Sequence, residues 1–342
     1  MSNQFPARAR VNPHFAEPDF INQYSQASGA FEALEGGKTR VKLSPGDQYV
    51  YIDGLKMRAQ QISGQVASNL LPSASIIAEQ YSTATYLMRS GAIYDRHDME
   101  AAAQYAVGLP TAQDFAMEET IYQAMRSGLL YGVNAANGEG LLNTPGAIFM
   151  NLPPDSNGNT TLQMYDNGQM ALFWLLQINN LQNGMYQSGF NIKDRIVIVS
   201  PQRVFNYLIN AAIIDVVSFQ RPGAGTATVG QAITMVTDSQ GNTIEYYFDD
   251  TLIGKGSGGS DMVIMTIPEL ETPRGTPYNT NQFGELAPQM KAINLMYSDL
   301  PAPMKIPTPV EYGALSIVQE IRITSGWCVR PQGLYLVSVP YS

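Results

Sequence analysis

Few residues in this sequence have the chemistry of a nucleophile or a metal ligand. Its 342 residues include one cysteine, Cys328, and two histidines, His14 and His97. A nucleophilic cysteine needs a base close by, whereas Cys328 lies in the apolar segment SGWCVR and is interpreted as a buried strand residue. A single cysteine also excludes an internal disulfide framework and a zinc site built from several cysteines.

The segment GKGSGG at 254–259 could be a phosphate-binding loop. Such a loop needs a strand before its glycines and a helix after them, so that backbone amides and the helix dipole meet the phosphates. Here the strand-like segment DMVIMTI follows the glycines, and Lys255 does not belong to a GxxxxGK[ST] motif. We therefore interpret the segment as a surface loop.

Two clusters of ionisable residues could in principle hold a metal ion. The residues 95–98, DRHD, are adjacent in sequence and therefore point in different directions, which predicts a solvated turn or an ion pair between subunits. The pair Asp249 and Asp250 predicts the solvated end of a hairpin. An active site needs residues with complementary roles, so we predict no catalytic, cofactor-binding or metal-binding residues, no cofactor and no enzyme.

The charge of the chain excludes some classes of function. The formal net charge is −9, and 14% of the residues are charged, against about 25% in typical globular proteins. A net negative charge argues against tight binding to a polyanion such as nucleic acid. A surface with so little charge is expected to face other protein. No apolar run approaches the roughly 18 to 20 residues that span a bilayer, and the N-terminus lacks the apolar core of a secretory signal. We therefore expect a soluble intracellular product.

The first third of the chain alternates between unpatterned and patterned segments. Residues 1–34 show no hydrophobic period and predict an extended arm. QYVYID (48–53) predicts a strand, and the segment 55–71 predicts an excursion whose apolar side chains pack either on the same molecule or over an adjacent subunit. AEQYSTATYLM (78–88) predicts a second strand, and DMEAAAQYAV (98–107) predicts a short helix that ends at a glycine.

The clearest element is a long helix over about residues 111–131. Its apolar positions recur at steps of three and four residues and predict one buried face. These positions are Phe115, Ile121 or Tyr122, Met125 and Leu129. Thr111 and Asp114, which follow Pro110, predict a capping pair at its start.

The second half of the chain predicts a compact α/β unit after a turn-rich break at 133–160. Its elements are a helix with Met170, Trp174, Ile178, Leu181 and Met185 on one face, a strand RIVIVS (195–200), a helix capped by Ser200 and Pro201, a strand IIDVVSF (213–219), a hairpin of ITMVTD (233–238) with TIEYYFDD (243–250), and a strand DMVIMTI (261–267). The chain then predicts a long irregular connection (268–310) and two final strands, SIVQEIRITSG (316–326) and GLYLVSV (333–339), around a turn at 330–333.

Three passages, in this order, resemble one protein family. They are TATYLMRSGAIYDRHDMEAAAQYAVGLPTAQ (83–113) with the helix DFAMEETIYQAMRSGLLYG (114–132), then NGEGLLNTPG (137–146), then SIVQEIRITSGWCVRPQGLYLVSV (316–339). The family is the major capsid proteins of tailed bacteriophages with the Hong Kong 97-like fold, in a subfamily long catalogued as a domain of unknown function. With the α/β unit, the resemblance covers most of residues 75–342.

The resemblance implies an α+β fold with an N-terminal arm, an extended β loop, a peripheral domain with a long spine helix, and an inserted axial α/β domain. The implied bounds are 1–34 for the arm, 35–78 for the extended-loop region, 79–160 with 306–342 for the peripheral domain, about 111–131 for the spine helix, and 161–305 for the axial domain. Some relatives cross-link covalently through a lysine of the extended loop, but no local pattern around Lys56 supports that chemistry here.

The resemblance also implies a structural role in a virion. The chain would be synthesised in the host cytoplasm and self-assemble through pentamers and hexamers into an icosahedral shell. That shell would enclose the double-stranded DNA genome without sequence-specific binding and without a membrane. Portal, scaffold or decoration proteins would be further partners.

Two alternatives stay open at this point. An encapsulin-type nanocompartment shell shares the fold and holds protein cargo, and its gene would neighbour a cargo enzyme instead of portal and terminase genes. The other alternative is an α/β enzyme with an unrecognised site, which would form small oligomers and turn over a metabolite.

Overall fold

The computed structural model describes ten parts of the chain: residues 41, 43–58, 75–104, 108–185, 195–210, 233–234, 243–268, 294–298, 303–310 and 314–342. The predicted arm (1–34), the greater part of the predicted excursion (59–71) and the predicted strand at 213–219 lie outside the described residues.

Eleven strands and four helices occur within this described part. The strands are β1 (Tyr49–Arg58), β2 (Ser75–Tyr94), β3 (Ile148–Asn151), β4 (Arg195–Ser200), β5 (Thr243–Phe248), β6 (Asp261–Thr266), β7 (Leu295–Met296), β8 (Met304–Pro309), β9 (Leu315–Thr324), β10 (Trp327–Cys328) and β11 (Leu334–Val339). The helices are α1 (Arg96–Gln104), α2 (Leu109–Leu130), α3 (Asn167–Met185) and α4 (Gln202–Asn210).

The first sheet is antiparallel, with the strand order β1-β2-β9-β8. Strand β2 has 20 residues and belongs to two pairs: its first half pairs with β1, and its second half pairs with β9. Helix α2 packs on one face of this sheet, where Ile121 of the helix meets Ile321 and Ile323 of β9 in a small apolar cluster. Strand β8 forms an exposed edge and contains Pro307 and Pro309.

The second sheet has the strand order β3-β11-β6-β4-β5. All six residues of β6 and of β11 are buried, because the sheet is covered on both faces. On one face Ile198 and Val263 join a core that contains Trp174 of α3. On the other face Val199 packs with Leu129 from the end of α2. A strand covered on both faces needs apolar residues at every position, which explains the continuous runs in the sequence.

The hydrogen bonding of the second sheet departs from the predicted division of the chain. Strands β3 and β11 fall within the residues assigned to the peripheral domain, yet both belong to the same sheet as β4, β5 and β6. The two final strands also do not pair with each other, because β9 belongs to the first sheet and β11 to the second. The segment 325–333, which contains β10 and the turn at 330–333, therefore carries the chain from one sheet to the other.

The start of α2 differs from its prediction. The helix begins at Leu109 with Gly108 at the N-cap position and no side-chain cap, so the predicted capping pair of Thr111 and Asp114 is wrong. Proline is favoured in the first turn of a helix because its missing N–H is not needed there. Pro110 therefore lies inside the helix, and Asp114 instead accepts a hydrogen bond from the hydroxyl of Tyr94 at 3.1 Å.

Two further predictions of packing are corrected. Phe115 is 55% exposed and Met117 is buried in its place, whereas Ile121 and Leu129 are buried as predicted. The predicted hairpin is wrong where the chain is described, because Ile233 lies in helical backbone and β5 pairs in parallel with β4. A short turn between two strand-like runs favours an antiparallel pair, but β5 pairs with the parallel strand β4 instead.

Candidate assembly site

A two-stranded ribbon extends from the first sheet. Strand β1 pairs with the segment Ser75–Ala84 of β2 over ten residues, which corresponds to roughly 33 Å of strand. In the described part of the chain β1 has no second strand partner. A two-stranded ribbon is marginally stable by itself in water, so it needs a surface to pack against.

The base of the ribbon presents two tyrosines on one face. Tyr49 and Tyr51 are 58% and 59% exposed, and their ring centroids are 6.3 Å apart. Val50 between them points to the opposite face and is buried, as the alternation of a strand requires. Exposed tyrosines of this kind are enriched in protein–protein interfaces.

Hydrogen bonds fix the root of this ribbon to the first sheet. The carbonyl oxygen of Asp47 accepts a hydrogen bond from the Thr85 hydroxyl at 2.5 Å and another from Arg322 Nη1 at 3.0 Å. Arg322 Nη1 also donates to the Thr85 hydroxyl at 2.9 Å. The ribbon therefore leaves the body of the protein in a defined direction.

Glu139 connects three segments near this root. Its carboxylate accepts hydrogen bonds from the hydroxyl of Tyr86 on β2 at 2.7 and 2.8 Å, from the hydroxyl of Ser325 at 3.0 Å, and from the backbone N–H of Asn134 at 3.1 Å. Burial, together with the hydrogen bond and the negative charge of Glu139, raises the pKa of Tyr86 to about 12. The tyrosine therefore stays a neutral donor at physiological pH.

Beside Glu139, three backbone segments touch at glycines. Gly132 and Gly140 have φ values of 73° and 88°, which glycine adopts without strain. A Cβ atom on Gly140 would lie 2.3 Å from the nitrogen of Gly132, and one on Gly326 would lie 2.5 Å from the carbonyl oxygen of Leu129. The N–H of Gly140 donates to the oxygen of Gly326 at 2.9 Å. We call Gly132, Gly140 and Gly326 the glycine junction; it joins the end of α2 to the connection between the two sheets.

The acidic pair after β5 is not a solvated hairpin end. Asp249 is fully buried, and its carboxylate accepts hydrogen bonds from the N–H and the hydroxyl of Thr251 at 2.9 and 2.6 Å. Asp250 accepts a hydrogen bond from the N–H of Gln202 at 2.8 Å, at the start of α4. The prediction is wrong for Asp249 because this carboxylate caps a tight 3-10 turn.

The other ionisable cluster, residues 95–98, lies at the start of α1 and is exposed. Asp95 accepts a hydrogen bond from the N–H of His97 at 2.9 Å, and Arg96 forms an ion pair with Glu100 at 2.8 Å. In the part of the chain with described coordinates, no three His, Cys, Asp or Glu side chains come together as a metal site would need.

The glycine-rich segment 254–259 forms a surface turn before β6. It borders a shallow depression of about 390 Å³ that also contacts Phe149 and Asn151 of the edge strand β3. Lys255 lies over the ring of Tyr131 at 5.4 Å. Because a strand follows the glycines, the turn lacks the helix N-terminus that a phosphate loop requires.

Cys328 is buried in β10, as the sequence predicts. Burial raises the pKa of its thiol to about 12, so the thiolate that reacts with electrophiles is absent at neutral pH.

We expect Cys328 not to react with a thiol reagent in the folded protein at pH 8, and to react fully once the chain is unfolded in guanidinium chloride. A colorimetric thiol titration of both states measures this. One reactive thiol per folded chain would contradict the burial of this side chain.

Sequence reasoning missed the residues that hold these parts together. The pattern NGEGLLNTPG contained a signal, since closely spaced glycines indicate a backbone with positive φ, but it did not reveal the partners of Glu139. The strand QYVYID was predicted correctly, whereas the exposure of its tyrosines depends on which face the rest of the chain covers. No helix in the described residues is long and apolar enough to cross a membrane.

Solved capsid structures resemble this chain over nearly its whole length. "The capsid of Myoviridae Phage XM1" matches with a TM-score of 0.67 and 11% identity, covering 95% of this chain and 96% of that one. "Capsid of empty GTA particle computed with C5 symmetry" matches with a TM-score of 0.54 and 8% identity, covering 96% and 95%. "Asymmetric unit of bacteriophage PhiM1 mature capsid" matches with a TM-score of 0.51 and 8% identity, covering 96% and 92%.

The sequence comparisons do not assign a family. No family model matches the chain, and no curated protein matches it either. At identities this low, similarity in three dimensions reports the fold alone. The predicted fold is confirmed: the chain has the α+β Hong Kong 97-like capsid fold.

Proposed function

We propose that this protein is the major capsid protein of a tailed phage, a structural subunit that assembles through pentamers and hexamers into an icosahedral shell around double-stranded DNA. One observation carries the proposal: the match to the XM1 capsid covers 95% of this chain and 96% of that one. Agreement over two whole chains includes the ribbon and both sheets, so it is more than a shared small domain. Portal, scaffold and decoration proteins would be further partners in the virion.

The ribbon supports this proposal independently. Its two strands require a surface to pack against, and exposed tyrosines at its base suit protein contacts. A neighbouring copy of the same chain supplies such a surface in every position of a shell. We assign the ribbon to the extended loop, and α2 to the spine helix of the peripheral domain. We also propose that β3 and β11 belong with the axial domain, because they share its sheet.

The test is assembly of the purified chain, followed by negative-stain electron microscopy. We expect closed particles of uniform diameter for the wild type. Replacing both Tyr49 and Tyr51 with serine should strongly reduce the yield of particles. A tyrosine that dominates an interface contributes about 2 kcal/mol or more to the free energy of association per copy. The monomer should keep its stability to within about 1 kcal/mol, since exposed residues contribute little to folding.

The matched control is Met164→Ser, which also removes an exposed apolar side chain, 72% exposed, but from a site away from the ribbon. It should assemble as the wild type does. Small discrete oligomers of the wild-type chain, with turnover of a metabolite, would contradict the proposed function. Normal particles from the double tyrosine variant would contradict only the role of the ribbon base.

A further inference from the structure

Strand β3 is a free edge of the second sheet. It pairs with β11 on one side, and no strand in the described parts of the chain pairs with its other side. Its sequence, IFMN, contains neither a proline nor a charged side chain, which are common means of keeping an edge strand from pairing further. The edge is therefore open to a further strand, and its four residues limit that strand to a short one.

The unpaired backbone groups of β3 belong to Phe149 and Asn151. The N–H of Leu152 donates to the carbonyl oxygen of Ser338 on β11 at 2.9 Å. The backbone groups of successive residues in a strand point to opposite sides, so those of Phe149 and Asn151 point away from β11. Two N–H groups and two carbonyl oxygens are thus available to an added strand.

One face of β3 sets an apolar requirement for that strand. Ile148 and Met150 are partly buried and pack against the core that contains Trp174. An added strand would extend this face, and neighbouring side chains on one face of a sheet stabilise each other when both are apolar. The alternate residues of the added strand that lie beside Ile148 and Met150 should therefore be apolar.

The opposite face of β3 sets a requirement for charge. It borders the depression of about 390 Å³ beside the glycine-rich turn, where Phe149 and Met262 are apolar lining residues and Lys255 is the only charged one. Phe149 is 59% exposed. Among the described residues, no carboxylate forms an ion pair with Lys255. A carboxylate on the added strand would therefore meet a cation that has no competing partner.

A second copy of β3 does not meet these requirements. Pairing β3 with its own equivalent would bring two Lys255 side chains to the same contact, and β3 itself supplies no carboxylate. Like charges placed together across an interface oppose association. A segment of another protein, with apolar residues at alternate positions and an Asp or Glu between them, complements the edge instead.

We infer that the edge of β3 binds a short extended segment of a partner protein, an acidic peptide with apolar alternate residues, as an additional strand of the second sheet. In this mode of recognition, backbone hydrogen bonds hold the segment and side-chain pockets select its sequence. The inference does not rest on the proposed function, because binding of a peptide can be measured whether or not the chain assembles.

Fluorescence anisotropy with a synthetic peptide tests this binding to the full-length chain. The probe is fluorescein-labelled Ser-Thr-Val-Glu-Val-Thr-Ser, compared with the same peptide carrying Gln in place of Glu. We expect saturable binding of the Glu peptide, and about fivefold weaker binding of the Gln peptide, as for an exposed ion pair. Lys255→Gln should abolish this difference between the peptides. Lys305→Gln, the same change at an exposed lysine of the first sheet, should preserve it.

Backbone methylation of the peptide tests strand pairing without any change to the protein. An added strand uses the N–H groups of alternate residues. N-methylation of the two valines, or of the glutamate, should therefore weaken binding by at least about tenfold, whereas methylation of the other set should not. Equal effects of the two methylations would overturn the inference, and so would the absence of saturable binding.

Asn151→Pro removes one outward N–H from the edge itself. An edge strand tolerates proline where the missing N–H faces away from the sheet, so the variant should fold. It should bind the Glu peptide at least about tenfold more weakly than the wild type, with an unchanged oligomeric state by size-exclusion chromatography with light scattering. Wild-type affinity for the peptide would overturn the inference. A changed oligomeric state would overturn it too, since a second copy of the chain would then occupy the edge.

Discussion

Replacing Gly326 with alanine is expected to lower the free energy of unfolding by about 3 kcal/mol. The new methyl group would lie 2.5 Å from the carbonyl oxygen of Leu129 and 2.9 Å from its Cδ1 atom. The backbone at position 326 cannot move away easily, because its N–H donates to Gly128 and its oxygen accepts from Gly140. Forcing atoms into a packed site costs about 1–3 kcal/mol, and losing these hydrogen bonds adds to that cost. Chemical denaturation monitored by tryptophan fluorescence measures the effect.

Gly91→Ala is the control for this prediction. Gly91 is a glycine of the first sheet, and the nearest atoms to its added methyl group are at 3.6 Å, an ordinary contact. Its stability should stay within about 0.5 kcal/mol of the wild type, as for most surface substitutions. Equal stabilities of the two variants would show that the backbone segments of the glycine junction do not restrain one another.

Removing the guanidinium of Arg203 should have an effect of similar size. Arg203 on α4 donates two hydrogen bonds to the fully buried carboxylate of Asp261, from Nε at 2.6 Å and from Nη2 at 2.5 Å. Its guanidinium also lies 4.7 Å from the centre of the Tyr341 ring. Breaking a buried pair on one side leaves a buried charge without its partner and costs about 3–5 kcal/mol. We expect about 3 kcal/mol for Arg203→Met, the lower end, because Arg203 is 39% exposed and thus partly solvated.

A double-mutant cycle separates this ion pair from simple packing. Asp261→Asn removes the charge that Arg203→Met would leave unpaired, so the double variant should be less destabilised than the sum of the single variants. Arg96→Met is the matched control, because its ion pair with Glu100 is exposed and such pairs contribute at most about 1 kcal/mol. Additive effects at Arg203 and Asp261 would contradict the coupling.

The elements with strong local patterns could be predicted from the sequence. Helix α3 follows from the spacing of Met170, Trp174, Ile178 and Leu181, all of which are buried. Strands β4 and β6 follow from continuous apolar runs. Strand β3 was not predicted, since it has only four residues and lies in a turn-rich stretch. It pairs with β11, which is about 190 residues away in the sequence. Pairing between distant segments leaves no local pattern in either of them.

The candidate site depended on such distant contacts even more strongly. Tyr86 and Glu139 are 53 residues apart, and Arg203 and Asp261 are 58 residues apart. Nothing in the sequence around these residues specifies their partners, so neither contact could be predicted. The same applies to Gly326, which was interpreted as the end of a strand and which proves to be a point of backbone contact.

The two prolines of β8 have a consequence for how copies of this chain can meet. An open strand edge recruits further strands by backbone pairing, with no fixed end to the growth. Pro307 and Pro309 each lack the N–H that such pairing needs, and Lys305 adds a charge on the same short strand. Fibrous polymerisation through this edge is thereby suppressed. Contacts between copies then depend on side-chain surfaces, which set the angle between neighbouring copies. Contacts at a set angle can close into a finite assembly instead of continuing as an endless fibre.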